Sequence, residues 1–276
     1  MTKTRRMMEE DLKLVDAVCE ILDARIPISS RNPDIDAICG KKPRMVILNR
    51  IDMADADLVG RWSNYFKDRG MAVIRTDCKS RKGINTFAPA VRQLLSEKLQ
   101  RYAEKGQVGR PLKLMVVGIP NVGKSTFINQ IAGRKGAKAE NRPGVTRGKQ
   151  WVNVDGGLLL LDTPGILWPK FDDPEVGMRL AYTGAVKDDI LDTETLGCHL
   201  MELLAREYPG ALTERYKIEI PAEIDGWELL QAAGRKRGFL VSGGEVDTER
   251  MAKVLLDEYR SCKLGTFTLE RPEELA

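Results

Sequence analysis

Gly118-Ile119-Pro120-Asn121-Val122-Gly123-Lys124-Ser125, continued by Thr126, carries the spacing Gly-x4-Gly-Lys-Ser between an apolar run, Leu112 to Val117, and a helix-forming stretch, Lys124 to Ile131. Each part of that spacing has a physical task. The glycines let backbone wrap a phosphate chain and amides point at it, while Lys124 neutralises charge and the Ser125 hydroxyl suits a Mg²⁺ ion. A strand, loop and helix in this order belong to an α/β fold, and the flanking sequence extends the pattern. Ala17 to Leu22, Met45 to Leu48, Ala72 to Ile74, Lys149 to Val154 and Gly157 to Leu161 read as strands. Helical periodicity appears over residues 4–15, in a short piece from Arg31 to Ile38, in Trp62 to Arg69, and in Ile84 to Arg101, where Phe87, Val91, Leu94 and Leu95 share one side. The alternation predicts a mainly parallel, doubly wound sheet.

A second stretch, Asn49-Arg50-Ile51-Asp52, lies at the end of the Met45 to Leu48 strand, where open α/β sheets place ligand sites. The Asp52 carboxylate can accept from the ring N–H and the exocyclic amine of guanine, a donor pair that adenine lacks. The usual middle residue of such a reader is Lys; Arg50 stands here, with an aliphatic stem able to lie along the base. Thr76-Asp77-Cys78-Lys79 occupies the place of a second base-contacting motif, in which a small Cys78 lets its amide approach the guanine oxygen and Lys79 covers the ring. Asp162-Thr163-Pro164-Gly165 closes an apolar strand as a metal-side Asp should, with the Gly165 amide placed to sense a γ-phosphate. Between them, Arg142-Pro143-Gly144-Val145-Thr146-Arg147-Gly148 has the character of a switch loop, with Thr146 as its Mg²⁺ ligand. In most G domains the guanine reader follows the phosphate loop, so its position 69 residues ahead of Gly118 points to circular permutation. Glu104 to Pro111 would then be the splice joining the original ends.

Composition narrows the class. A chain of 276 residues with 42% hydrophobic and 30% charged side chains can bury a sizeable core, and the expectation is a G domain over 1–173 followed by a helical domain over 174–276. Asp173-Pro174 opens the second part as an N-cap with proline at the first helical position. Leu196, Leu200, Leu203 and Leu204 form one helical stripe ended by Pro209-Gly210, and Met251, Val254, Leu255 and Tyr259 form another after Asp247. The apolar runs fall far short of the roughly 20 residues a bilayer span requires, and the start lacks a signal-peptide core, so the cytoplasm is expected. Five scattered cysteines suggest reduced thiols, and the one histidine, His199, argues against a Cys/His zinc site or a Ser-His-Asp triad.

The order of guanine reader, further base motif, phosphate loop, switch threonine and Asp-Thr-Pro-Gly resembles the circularly permuted GTPases. Asp23-Ala24-Arg25-Ile26-Pro27, Ser30-Arg31-Asn32-Pro33 and the start Met1-Thr2-Lys3-Thr4 are similar to the ribosome biogenesis GTPase A, or YlqF-type, family over essentially the whole chain. The resemblance implies a monomeric cytoplasmic GTPase that binds the immature large (50S) ribosomal subunit and its rRNA, hydrolyses GTP to GDP there, and leaves after a late assembly step. It implies Mg²⁺ held by Ser125, Thr146 and Asp162, an activating K⁺ ligated by Asn121, and catalytic contributions from Lys124, Thr146 and Gly165. Ile166 stands where many G domains have a water-positioning glutamine, which predicts slow intrinsic hydrolysis and activation by the ribosomal particle. Relatives carry a Phe-Pro-Gly-His segment ahead of the corresponding start; with the chain beginning at Met1, its catalytic role falls to residues ahead of Met1 or to another element.

Net charge is +4, unevenly spread: residues 1–176 hold 31 Lys/Arg against 21 Asp/Glu, and residues 177–276 hold 13 against 19. RNA contacts are expected from Arg134, Lys135, Lys138, Arg142, Arg147 and Lys149, and from Arg235-Lys236-Arg237 in the acidic tail. The chain path from Asp162 to Gly165 into the second domain makes the γ-phosphate sensor a hinge, so GTP and GDP forms are expected to differ in affinity for the subunit precursor. Two other readings fit less of the sequence: an RNA-binding assembly scaffold that keeps GTP as a structural ligand, and a translation or signalling GTPase.

Overall fold

The computed structural model describes residues 2–133, 150–154, 156–163, 173–186 and 192–275. Two compact units result: residues 1–172 together with 268–276, and residues 173–267.

The first unit is built on a six-stranded sheet in the order β3-β2-β1-β4-β6-β5. Its strands are β1 (Ala17–Asp23), β2 (Arg44–Asn49), β3 (Ala72–Thr76), β4 (Leu112–Val117), β5 (Gln150–Val154) and β6 (Leu158–Asp162). All neighbours run parallel except β5 against β6. Burial on both faces explains why β1 and β4 read as almost continuous apolar runs rather than alternating ones. One face packs Met8 and Leu12 of α1 (Thr2–Leu12) and Ile35 of α2 (Ile35–Cys39) on Val18, Met115 and Leu161. The other packs Trp62 and Phe66 of α3 (Ala56–Asp68) on Leu22, Val46 and Leu48. The phosphate-loop strand β4 is central, next to β1, and the reader strand β2 lies two places away. This is the doubly wound P-loop sheet in permuted order.

The expected single helix over Ile84 to Arg101 is instead a 3₁₀ turn at Ile84–Thr86, α4 (Phe87–Leu94) and α5 (Ser96–Glu104). Buried Leu95, at φ −108° and ψ 23°, breaks the helix while its amide still bonds the Val91 carbonyl at 3.0 Å. The following α6 (Lys124–Ala132) starts directly from Gly123.

The second unit is all-helical: α7 (Pro174–Tyr182), α8 (Thr193–Glu207), α9 (Pro209–Tyr216), α10 (Gly226–Lys236) and α11 (Thr248–Arg260). Asp173 and Asp247 cap α7 and α11 as expected, accepting from the amides of Glu175 and Arg250. Pro209 ends α8 and also opens α9 at its first turn. Helices α8 and α11 meet closely at Gly197, where a Cβ would lie 2.5 Å from the Ala252 Cβ. Buried Glu258 of α11 accepts from the Arg215 guanidinium, from the Tyr216 hydroxyl at 2.9 Å and from Arg237 at 3.0 Å. Arg237 therefore does not match the expectation of a free RNA contact, because it closes an internal ion pair and stacks over Tyr216; Arg235 and Lys236 remain exposed. His199 is a half-exposed residue of α8 with Glu202 3.9 Å away.

The expected helical domain over 174–276 differs at its far end. Residues 268–275 return to the first unit: the Leu269 amide bonds the Arg25 carbonyl at 2.8 Å, and the Thr268 hydroxyl donates to the Ala24 carbonyl at 3.1 Å. The buried Glu270 carboxylate accepts from the amides of Ile28 (2.6 Å) and Ser29 (2.9 Å) and from the Ser29 hydroxyl, while its carbonyl accepts from the Trp62 indole at 3.0 Å. Arg61 pairs with Glu273 beyond it.

Candidate nucleotide site

Parallel strands end together at one edge of the sheet. Register pairs Asp23 with Asn49 and Asn49 with Thr76, so β1, β2 and β3 deliver these three side chains side by side. Asn49 is buried and fully engaged. Its Nδ2 donates to the Val122 carbonyl at 2.8 Å, and its Oδ1 accepts from the Thr76 hydroxyl and the Cys78 thiol, each at 3.1 Å. The expected guanine reader, the further base motif and the phosphate loop are thus joined through one amide side chain. Gly123 permits the approach: at φ +93°, a Cβ there would sit 2.4 Å from Asn49 Nδ2.

Arg50, in the left-handed conformation at φ 62°, reaches the same loop, with its guanidinium donating to the Asn121 carbonyl. Another of its nitrogens lies 3.6 Å from the Asp23 carboxylate. The planar fork serves both partners, which a single ammonium would not do with the same geometry. Asp23 in turn pairs with Arg25 through two bonds, 3.0 and 2.8 Å, in a setting where both side chains are buried. Burial alone would raise the Asp23 carboxyl, but the Arg25 charge and hydrogen bonds, with Arg50, hold it below its ordinary value. The Ala24 amide bonds the Asn49 carbonyl at 2.9 Å, so the Asp23-Ala24-Arg25 segment buttresses the reader from behind.

Asp52 is exposed at the rim. Partial burial and the like charge of Asp77 raise its carboxyl above the ordinary value. The Asp77 carboxylate itself holds a turn, accepting from the amides of Lys79 (2.7 Å) and Ser80 (3.2 Å); despite burial, these bonds keep it below the usual range. Burial pushes the Cys78 thiol up to about 11, so it is a protonated donor at neutral pH.

At the phosphate end, the Lys124 ammonium bonds the Asp162 carboxylate, and Thr163 is anchored by its hydroxyl to the Val116 carbonyl at 2.7 Å. Ser125 and Thr126 are exposed on the first turn of α6, whose N-terminal amides and dipole favour an anion. Asn121, at φ 64°, is also exposed. Among the described residues no group of three or more His, Cys, Asp or Glu is gathered for a metal. The oxygen set of one hydroxyl, Ser125, and one carboxylate, Asp162, nevertheless fits Mg²⁺, which binds through few protein ligands together with phosphate oxygens and water. Thr146, Gly165, Ile166 and the basic residues Arg134, Lys135, Lys138, Arg142, Arg147 and Lys149 lie outside the described residues.

From sequence, Asp23 and Arg25 carried no role in this assembly and Thr76 only marked the start of the further base motif, and the return of Thr268 and Glu270 behind it was not foreseen. The alternation of Asp23 and Arg25 at the end of a buried strand was the available signal. No local pattern marks the tail residues.

A family described as 50S ribosome-binding GTPase matches residues 113–208. Ribosome biogenesis GTPase A of Priestia megaterium is 47% identical over 276 residues, covering 99% of this chain and 95% of the relative. Two solved structures align over nearly full length. GDP-bound YlqF superposes with a TM-score of 0.71 at 27% identity, covering 97% of this chain and 99% of that one. GNP-bound YlqF from Thermotoga maritima superposes with a TM-score of 0.68 at 28% identity, covering 98% and 99%. With the permuted sheet and a phosphate loop bonded to its reader, the chain belongs to the ribosome biogenesis GTPase A family.

Proposed function

We propose that the chain binds and hydrolyses GTP, acts in the cytoplasm as a late assembly factor of the large (50S) ribosomal subunit, and is accelerated by that particle. The observation that carries the nucleotide part is the direct bond from Asn49 to the phosphate loop at Val122, which sets the spacing between base and phosphate subsites. Asp52 would accept from the guanine edge, Lys79 would cover the ring, and the Cys78 amide would meet the guanine oxygen. Lys124 and the amides from Asn121 to Thr126 would hold the phosphates. Mg²⁺ on Ser125, Asp162 and Thr146 would neutralise charge between the β- and γ-phosphates, and K⁺ at Asn121 would add positive charge beside them. Thr146 and the Gly165 amide would order around the γ-phosphate. The 50S ribosome-binding GTPase family and the ribosome biogenesis relatives support the ribosomal part, and the GDP-bound and GNP-bound YlqF structures support the ligand. No helix among the described residues is long and apolar enough to cross a membrane.

Hydrolysis of GTP and of ATP, measured in K⁺ or Na⁺ with and without large ribosomal subunits, tests the reading. GTP-selective, K⁺-dependent turnover raised by subunits is expected. Absence of stimulation would remove the ribosomal part, and absence of turnover under every condition would favour a scaffold that keeps GTP as a structural ligand.

A further inference from the structure

The opposite end of the sheet carries a second concentration of charge. A trough of about 900 Å³ runs between the segment preceding β2 and the helix α5 with its trailing loop. Lys41, Lys42, Lys98, Arg101, Lys105 and Arg110 line it, against two carboxylates, Asp16 and Glu97. Lys98 is paired with Asp16 and Arg101 with Glu97, which leaves four cations in surplus. Lys42 and Arg110 are held in place by neutral acceptors, the Val15 carbonyl and the Gln107 side chain, while Lys41 and Lys105 face no carboxylate among the described residues. Positions 98, 101 and 102 fall on one face of α5 and Lys105 caps its end, so the cations of that wall extend over about 10 Å at 1.5 Å per residue. Tyr102 stands among them with Arg110 4.8 Å and Lys98 5.7 Å from its ring centre.

We propose that this trough binds the phosphodiester backbone of RNA, at a surface separate from the nucleotide site. The inference rests on the ribosomal reading above and names a contact surface for it. Charge in an elongated trough suits a polyanion whose phosphates recur along a line. Tyr102, with cations over its ring, adds a face on which an unpaired base can stack. A membrane fits poorly, because none of the large apolar side chains exposed among the described residues, such as Val108 or Leu14, lines the trough, and an interfacial surface requires an apolar wedge. Asp16, Pro43 and Arg110 lie just ahead of β1, β2 and β4, whereas the reader and the phosphate loop follow the other ends of β2 and β4. Strands of six to seven residues at about 3.3 Å each set the two surfaces roughly 20 Å apart. Both surfaces can therefore be filled at once.

The triple variant Lys41→Gln/Lys105→Gln/Arg110→Gln of the full chain tests this against a short fluorescein-labelled RNA duplex, its single strand, phosphatidylglycerol vesicles and inorganic phosphate. Wild type should bind RNA. The variant should bind it about tenfold or more weakly, with the slope of log K against log salt reduced by about 2 to 3, and should bind a fluorescent GDP analogue as wild type does. Equal RNA affinity and slope in variant and wild type would overturn the trough while leaving the ribosomal reading intact. Failure of wild type to bind either RNA would overturn the trough and weaken that reading as well. Binding of vesicles or inorganic phosphate in place of RNA, lost in the variant, would assign the surface to another anion and overturn the proposal.

Discussion

Replacement of Gly123 by alanine tests whether the reader and the phosphate loop form one site. At φ +93° any L-residue is strained, by about 1 to 2 kcal/mol for a left-handed backbone. The added Cβ would lie 2.4 Å from Asn49 Nδ2, closer than real contacts allow, so Asn49 must turn away. Turning breaks its bond to the Val122 carbonyl, a loss of about 1 to 2 kcal/mol for a buried pair. Together these give about 2 to 4 kcal/mol, or roughly thirtyfold to nearly a thousandfold in an equilibrium constant at 1.4 kcal/mol per tenfold. Titration with a fluorescent GDP analogue reads the part that falls on binding, and urea denaturation reads the part that falls on folding. Gly133→Ala is the control: Gly133 also has a left-handed backbone, φ +68°, but its Cβ would meet nothing within 4 Å, so it carries strain without collision. If Gly123→Ala changed neither affinity beyond about threefold nor stability beyond Gly133→Ala, the coupling through Asn49 would be refuted.

Glu270→Ala should remove about 3 to 5 kcal/mol from the first unit, since two buried donors of Ser29 and the half-buried Ile28 amide lose a charged acceptor; hydrogen exchange at the Ile28 and Ser29 amides is the direct measurement, and unchanged protection would contradict it. Asp23→Asn removes the carboxylate charge that pairs with the buried Arg25 guanidinium and should cost about 3 to 5 kcal/mol in denaturant unfolding, with Arg50 also released from that side. The native Asp23 carboxyl lies below its unfolded value, so its contribution is present above the unfolded value and is lost as pH falls through the native one. Asp52 has the opposite sign: its raised carboxyl takes up a proton sooner, so GDP affinity should begin to fall at a pH above the ordinary carboxylate value of about 3.9. Asp52→Asn should flatten that acid limb, and a limb that persists would assign it to another group. Because the Cys78 thiol is pushed up to about 11 and is buried, iodoacetamide should modify it slowly at neutral pH in the folded protein; rapid modification, read by mass spectrometry, would contradict its place against Asn49.

Legibility in the sequence follows the range of the physics involved. The strands of the parallel sheet were readable because burial on both faces forces continuous apolar runs such as Leu112 to Val117, and the phosphate loop because its spacing is a backbone requirement. The order of Asn49 and Gly118 gave the permutation, since two motifs at strand ends must meet at one sheet edge whichever comes first in the chain. The break at Leu95 escaped notice because Leu94, Leu95 and Leu99 keep helical periodicity across it, and only the φ/ψ of one buried residue departs. Arg237 looked like a free cation because its partner, Glu258, is brought to it by a separate helix. The role of Arg50 was half legible: its stem and charge were evident, while its bond to Asn121 depends on a left-handed backbone that no residue type announces.

The return of Thr268 to Leu275 to the first unit also bears on synthesis. The amides of Ile28 and Ser29 leave the ribosome well before their acceptor on Glu270, which lies 242 and 241 residues later. At about 5 to 20 residues per second the interval is roughly ten to fifty seconds. During it, the Ala24 to Ser29 segment behind the guanine reader exists without the partner that holds it, while the helical unit is made in between. The guanine reader of a nascent chain therefore lacks this support until Glu270 has been made, and full affinity for nucleotide should be acquired only after that residue has emerged.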